Sequence, residues 1–304
     1  MIRIVGTIFA GLLGLAFGSF LNVCLSRWPQ GESVVQPRSH CRNCDHVLAW
    51  WENVPLLSWV VLRGRCRKCG TAIGWRYPLV ELVVGILWAA QVWRLTKDIS
   101  EALLGTAPTL HPDYPYLIVP IGMMILCWLL VALAVLDAQH LWLPDWLTLP
   151  GAALGFLFFL LGIKFNSDRI LSFYGALGMQ RRILLHLAGR RLLGILAAAG
   201  LILLIRWIYK LIRKREGIGL GDAKLMALLA AWLGLPGALL AFGLGAIIGA
   251  VTALALLLVP GARREPGSWA AAKLPLGTFL CIGGIVSSLW GQPIIAAYLR
   301  WAGF

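Results

Sequence analysis

The sequence has little charge. Only 13% of its 304 residues are Asp, Glu, Lys or Arg, whereas 60% are hydrophobic. A soluble globular domain carries about 25% charged residues. This low fraction of charged residues argues against an ordinary soluble protein and predicts that most of the chain lies in a lipid bilayer. The 15 tryptophans agree, because Trp collects where lipid meets water.

The sequence has fewer acidic residues than basic residues. The chain has 13 Asp and Glu against 27 Lys and Arg, which gives a net charge of +14. Nucleic-acid binding is one interpretation of such an excess. The cytoplasmic loops of membrane proteins are basic as a rule, and this second interpretation fits the low total charge better. We therefore expect no nucleic-acid partner.

The N-terminus lacks the features of a cleavable signal peptide. The uncharged run Ile4–Ser26 has no Ala-x-Ala site after it. It is also longer than the apolar core of a signal peptide, which has about 7 to 15 residues. We interpret this run as a first transmembrane helix.

Further apolar runs predict an all-α polytopic membrane protein. A membrane-spanning helix needs about 20 mostly apolar residues. The run Leu225–Ala262 is too long for one crossing, and the turn residues Gly234–Gly237 divide it in two. The prediction is about eight transmembrane helices, with the others at Ile4–Ser26, Tyr77–Trp93, Tyr116–Leu136, Trp146–Ile163, Leu192–Tyr209 and Leu274–Leu299.

Residues 27–76 differ in kind from the rest. They hold eight Lys or Arg against three Asp or Glu, together with four cysteines. By the positive-inside rule this segment is cytoplasmic. The expected division is a first transmembrane helix at 1–26, a small cytoplasmic zinc-binding module at 27–76, and a transmembrane core at 77–304.

One basic segment does not fit this topology. Tracing the helices alternately puts Lys164–Arg191 on the outer side, yet it carries six Lys or Arg. Its apolar and basic residues alternate over much of its length, so an amphipathic helix on a membrane surface is one interpretation. The sequence leaves its side open.

Four cysteines form two C-x-x-C knuckles with 21 residues between them. Four thiolates from two such turns can surround one tetrahedral Zn²⁺. Two disulfides or unrelated thiols are the alternatives, and the reducing cytoplasm disfavours disulfides. The expected site is closed and therefore structural. Its ligands are Cys41, Cys44, Cys66 and Cys69.

Two aspartates lie at membrane depth, where charge is costly and usually functional. Asp137 ends the third predicted helix and Asp222 opens the sixth. Two helices separate them, so both lie on the same face of the membrane. Two nearby carboxyl groups share one proton, and such a pair can perform acid–base peptide hydrolysis.

The residues alone leave other roles open for the aspartates. Either could cap a helix. They could also gate ions in a transporter or bind partners in an assembly subunit. The transporter class has thinner support, because no inverted repeat with broken helices is evident.

The order of the motifs makes the chain resemble the bacterial type IV prepilin peptidases of pilus and type II secretion systems. The resemblance covers nearly the whole sequence. Its pieces are Phe17–Val23 with Arg27 and Pro29, the four-cysteine module, Trp51–Trp59, Arg76–Glu81, Asp137 with Leu143–Asp145 and Leu147–Pro150, and Gly219–Leu225 with its G-x-G-D motif.

The resemblance implies two reactions. Asp137 and Asp222 match the catalytic aspartates of the family, which cleaves prepilins and pseudopilins after the glycine that ends a short basic leader. The new N-terminal residue is then methylated with S-adenosylmethionine, a reaction associated with the N-terminal cytoplasmic region. Glu81 and Glu52 are candidate contacts for this cationic donor, although Glu81 could equally pair with Arg76. The implied location is the bacterial cytoplasmic (inner) membrane, with the active site facing the cytoplasm.

Two positions depart from the family pattern. Gln139 stands where many members carry a second acidic residue, and Arg42–Asn43 stands where a proline often follows the first cysteine. Neither departure touches the two aspartates or the four thiols.

Overall fold

The computed structural model describes residues 2–103, 118–174, 177–214, 219–258 and 274–303. The described residues form helices and no sheet, and two isolated bridges, His40 to Val47 and Arg65 to Ala72, are their β pairings. This confirms the predicted all-α class. The chain divides into two compact units, Met1–Pro112 and Asp113–Phe304.

The first unit is a pair of long helices joined by the cysteine-bearing segment. Its helices are α1 (Ile2–Arg27), the short α2 (Leu57–Val61) and α3 (Arg76–Leu103), with 3₁₀ turns at Trp28–Gln30 and Trp50–Asn53.

Glycines let α1 and α3 pack closely. A Cβ on Gly14 would lie 2.9 Å from the Cα of Gly85, and one on Gly18 would lie 2.7 Å from the Cα of Glu81. Small residues at such contacts let two helix backbones approach within the bilayer, where there is no hydrophobic drive between helices. The approach brings the end of α1 beside the first turns of α3.

The second unit contains five long helices in the described residues. They are α4 (Ile118–His140), α5 (Asp145–Tyr174), α6 (Leu177–Arg213), α7 (Leu220–Leu258) and α8 (Leu276–Trp301). Most extend past the uncharged runs that predicted them, because backbone hydrogen bonding continues after the apolar residues end. The described residues of Lys164–Arg191 continue α5 to Tyr174 and open α6 from Leu177, so they do not form a helix separate from these two.

The predicted break in α7 is present at Gly234, which has φ 77° and ψ 171°. Two neighbours on α8 show that the chain reverses there. A Cβ on Gly284 would meet Leu229, and one on Gly283 would meet Ala241. A straight helix would hold those two α7 residues about 18 Å apart. The two halves of α7 therefore run antiparallel.

An arginine lies at this reversal. Arg191 of α6 donates a hydrogen bond to the Ala230 carbonyl at 3.4 Å, and its guanidinium lies 4.0 Å from the ring centre of Phe159. A Cβ on Gly234 would lie only 2.6 Å from its Nη1. The guanidinium thus faces the C-terminal end of the first half of α7, where helix carbonyls lose their partners.

Seven of the described helices are long and apolar enough to cross a membrane, and α7 is counted once among them. Because α7 reverses, it supplies two crossings. The total agrees with the predicted eight, and the chain is a multi-pass membrane protein.

Candidate active site and metal centre

Asp137 lies one turn before the end of α4 and is held by the first turn of α8. The Thr278 backbone N–H donates to its Oδ2 at 2.7 Å, and the Thr278 hydroxyl lies 3.2 Å from the same oxygen. The hydroxyl also lies 3.0 Å from the Ala134 carbonyl. Asp137 is only 6% exposed. These contacts fix the Oδ2 oxygen of the carboxylate.

Asp222 lies in the first turn of α7. Its Oδ2 accepts the Gly219 backbone N–H at 3.2 Å, and the residue is 7% exposed. Gly219 is the first glycine of the G-x-G-D sequence, so the motif folds back on its own aspartate.

Leu143, in the turn between α4 and α5, lies between the two aspartate turns. A Cβ on Gly221, next to Asp222, would lie 3.1 Å from the Leu143 Cβ. A Cβ on Gly277 would lie 2.9 Å from both the Leu143 Cδ1 and the Asp137 Oδ2. The two carboxyl groups are close enough to interact electrostatically. The structure therefore brings together the two aspartates that the sequence singles out.

Asp145 lies beside this site but is turned outward. It opens α5, and its carboxylate pairs with the Lys224 ammonium of α7 at 2.5 Å. The Asp145 side chain is 60% exposed. It is thus a third carboxylate at the same end of the unit, with a partner of its own.

The four cysteines of the first unit form one cluster. Their Sγ atoms all lie within 4.8 Å of one another, with 3.8 Å between Cys41 and Cys69 and 3.9 Å between Cys44 and Cys66. The cluster can hold a metal ion. Hydrogen bonds with Thr71 and Asn43 lower the pKa of the Cys69 thiol to about 5, so one ligand is ionised at neutral pH.

Glu52 lies behind the first knuckle, fully covered in a 3₁₀ turn. Its Oε2 accepts the Ala49 backbone N–H at 2.7 Å and lies 3.3 Å from the His46 Nε2. The His46 carbonyl in turn accepts the Cys41 N–H at 2.9 Å. The other carboxylate oxygen of Glu52, Oε1, has no hydrogen-bond partner among the described residues.

Glu81 lies in the second turn of α3, 8% exposed. Its Oε2 accepts the Leu56 backbone N–H at 2.8 Å, and Ser19 and Asn22 of α1 also hydrogen-bond its carboxylate. Asn22 Nδ2 donates to the Tyr77 carbonyl at 2.9 Å. Glu81 therefore joins α1, α3 and the start of α2.

Sequence reasoning missed Thr278, the position of Leu143 between the two aspartate turns, and the Glu81 contact to Leu56. Leu143 belongs to a motif of the resemblance, but Thr278 stands in an apolar stretch with no pattern of its own. A polar residue three positions after Pro275, at the start of a membrane helix, was the one available signal for Thr278.

Family comparisons match both units. Residues 12–95 match the model described as the bacterial peptidase A24 N-terminal domain, and residues 124–254 match the type IV leader peptidase family. The chain is thus a membrane peptidase by class.

Curated relatives narrow that class. Proteins named prepilin leader peptidase/N-methyltransferase from Stutzerimonas stutzeri and Pseudomonas aeruginosa are each 32% identical over 96% of this chain and 93% of their own length. One of the same name from Myxococcus xanthus is 37% identical over 89% of this chain and 68% of its own. The chain belongs to the prepilin leader peptidase/N-methyltransferase family. No solved structure matches it significantly.

Proposed function

We propose that the protein removes the basic leader of type IV prepilins and pseudopilins by aspartic proteolysis at Asp137 and Asp222. The observation that carries this proposal is the juxtaposition of these two buried carboxyl groups across Leu143. Membership of the family supports the choice of substrate.

The geometry suggests how the pair divides the work. Asp137 accepts two hydrogen bonds at Oδ2, whereas Asp222 accepts one, so we assign Asp137 as the base and Asp222 as the acid. Asp137 takes a proton from water as the water oxygen attacks the scissile carbonyl carbon. Asp222 gives its proton to the leaving amine as the C–N bond breaks. No covalent intermediate forms, and the attacking water restores the shared proton.

Replacing either aspartate tests this mechanism. Asp137→Asn and Asp222→Asn should each lower the cleavage rate by about 10²- to 10⁴-fold, the usual contribution of an acid–base group. The assay incubates reconstituted protein with a prepilin and S-adenosylmethionine and follows cleavage by mass spectrometry. Asp145→Asn is the matched control and should retain most activity. Full processing by either of the first two variants would rule out the pair.

We further propose that the cysteine cluster holds a structural Zn²⁺. A tetrahedral ion with Zn–S bonds of about 2.3 Å requires S–S separations of about 3.8 Å. The separations of 3.8 and 3.9 Å fit this requirement. With four thiolates bound, the ion would have no open position, so it would shape the module and not take part in the chemistry.

The second reaction we propose is N-methylation of the new N-terminal residue with S-adenosylmethionine. Supporting this assignment are the relatives' name and the match to the N-terminal domain model. Glu52 and Glu81 remain the proposed contacts for the cationic donor. Glu52 has one oxygen without a hydrogen-bond partner, whereas the Glu81 carboxylate already accepts hydrogen bonds, so Glu52 is the preferred candidate. The donor reaches Glu52 only once its covered side chain is uncovered.

Measuring methyl incorporation in two variants distinguishes the roles of Glu52 and Glu81. Glu52→Gln should lower methylation with cleavage retained, if its carboxylate faces the donor. Glu81→Gln keeps an acceptor for the Leu56 N–H and should change methylation less. Bound metal must stay at one ion per chain in both variants, because Glu52 also holds the first knuckle. Unchanged methylation in both variants would remove them as donor contacts.

We place the protein in the bacterial cytoplasmic membrane with the aspartates facing the cytoplasm. The excess of basic residues in 27–76 supports this orientation. Trypsin should spare this segment in intact spheroplasts and cut it in inverted vesicles. The opposite pattern would reverse the topology.

A further inference from the structure

The short helix α2 exposes its apolar side. Leu57, Val60 and Val61 follow the i, i+3, i+4 spacing of one helix face. They are 60%, 64% and 62% exposed. A surface helix of a soluble protein turns such a face toward its core. In α2 the apolar face points away from the unit that carries it.

The opposite side of α2 is fixed, so the helix has little freedom to roll over. Trp59 Nε1 donates to the Ile73 carbonyl at 3.1 Å. A Cβ on Gly64 would lie 2.9 Å from the same indole ring, so the backbone packs directly against it. These contacts hold Leu57, Val60 and Val61 outward.

A hydrogen bond sets the depth of α2 relative to the membrane. Leu56, the residue before α2, donates its N–H to Glu81, which is five residues beyond Arg76. Arg76 begins a candidate membrane span. Five helical residues rise about 7.5 Å. Interfacial helices bury their apolar faces about 5 to 10 Å into the boundary between headgroups and acyl chains, so the two depths agree.

The residues that follow α2 also favour a position at the membrane interface. Arg63 and Arg65 are exposed directly after it. Trp75, 71% exposed, immediately precedes the candidate span of α3. Basic residues near a leaflet attract anionic lipid by about 1 kcal/mol each, and Trp favours the interface.

We propose that α2 is an interfacial helix. Its Leu57, Val60 and Val61 side chains insert into the lipid leaflet nearest the cysteine module. The cysteine module would then be held against the membrane at α2 as well as through α1 and α3. This inference does not depend on the peptidase assignment. The alternative is that the apolar helix of a protein substrate covers this face of α2. The observations favour lipid, because the hydrogen bond from Leu56 to Glu81 holds α2 at interfacial depth without a partner protein.

Photo-crosslinking distinguishes these occupants. The full chain carries Val61→p-benzoylphenylalanine and is reconstituted in nanodiscs of phosphatidylcholine and phosphatidylglycerol. The control is Val47→p-benzoylphenylalanine, which replaces an exposed valine of the first knuckle. After illumination, intact-protein mass spectrometry reads the mass of any adduct, with and without a prepilin. Metal content and cleavage activity check that each variant is folded.

The expected result is a lipid-mass adduct at position 61, several-fold more abundant than at position 47 and unchanged by prepilin. An adduct to prepilin would overturn the proposal. So would equal lipid labelling at both positions, or the absence of a lipid adduct at position 61 in folded protein.

Discussion

Both units bury carboxylates and use them differently. In the first unit, Glu52 and Glu81 each accept a backbone N–H, from Ala49 and Leu56. In the second unit, Asp137 and Asp222 do the same with Thr278 and Gly219. A hydrogen bond from a backbone N–H is therefore common to all four. The units differ because the two aspartates interact electrostatically with one another. Each glutamate instead accepts hydrogen bonds from neutral groups or a histidine.

This comparison shows that burial and a backbone hydrogen bond do not by themselves mark a catalytic carboxylate. An anchored carboxylate can simply close a turn, as Glu52 does. A second carboxyl group within electrostatic reach adds the shared proton that acid–base chemistry needs. The backbone hydrogen bonds to Glu52 and Glu81 should therefore support structure, whereas those to the two aspartates should support the cleavage rate.

Metal removal should have the largest effect, and it should be confined to the first unit. Structural zinc contributes on the order of 10 kcal/mol to the folding of small zinc modules. Stripping the metal with a chelator should unfold the chain around Arg38, Arg63 and Lys68, which are already exposed, and so let trypsin cut there. The helices of the second unit should keep their protease resistance. Equal resistance of residues 31–75 with and without metal would contradict the structural role.

A methyl group beside Asp137 should have the next largest effect. The Cβ in Gly277→Ala would lie 2.9 Å from Oδ2 and must displace the carboxylate or α8. A misplacement of about 1 Å can cost 10²-fold in rate, so we expect roughly that loss of kcat. Gly243→Ala is the control, because no atom lies within 4 Å of its added Cβ. Full activity in Gly277→Ala would mean that Asp137 is not held as described.

Removing the Thr278 hydroxyl should have a smaller effect. Thr278→Val keeps the backbone N–H bond and loses one hydrogen bond to the carboxylate. Such a bond to a charged group is worth about 1.5 to 3 kcal/mol, so kcat should fall roughly 10- to 100-fold at an unchanged KM.

Two further variants sharpen this test. Thr278→Ser should recover most of the rate because it restores the hydroxyl. Thr252→Val removes a hydroxyl that lies 2.8 Å from the Ile248 carbonyl within α7, and it should be nearly neutral. A rise in KM alone for Thr278→Val would assign the hydroxyl to substrate binding instead.

The sequence predicted the parts of the fold that local patterns control. Apolar runs located the crossings, and the Gly–Pro sequence at 234–237 located the reversal in α7. Knuckle spacing predicted the cysteine cluster. These signals are local because hydrogen bonding and turn chemistry act between near neighbours.

Contacts between distant residues had no such signal. Thr278 holds Asp137 across 141 positions, and Leu56 reaches Glu81 across 25. The positive charge of Arg191 conflicted with the outer position that the sequence predicted for its segment. In the structure, its guanidinium donates to the Ala230 carbonyl near the break in α7. Only the packing of the helices reveals these partners.

The first half of α7 also limits how a substrate can reach the site. The 12 helical residues from Asp222 to Gly234 rise about 18 Å, against a hydrocarbon core of about 30 Å. Asp222 and the reversal at Gly234 therefore cannot both lie at opposite surfaces of a bilayer of ordinary thickness. If the reversal lies at the far surface, Asp222 is recessed by about 12 Å, the reach of roughly four extended residues. A peptide bond can meet the aspartates only if the chain around it is unwound over that reach, or if the membrane thins there.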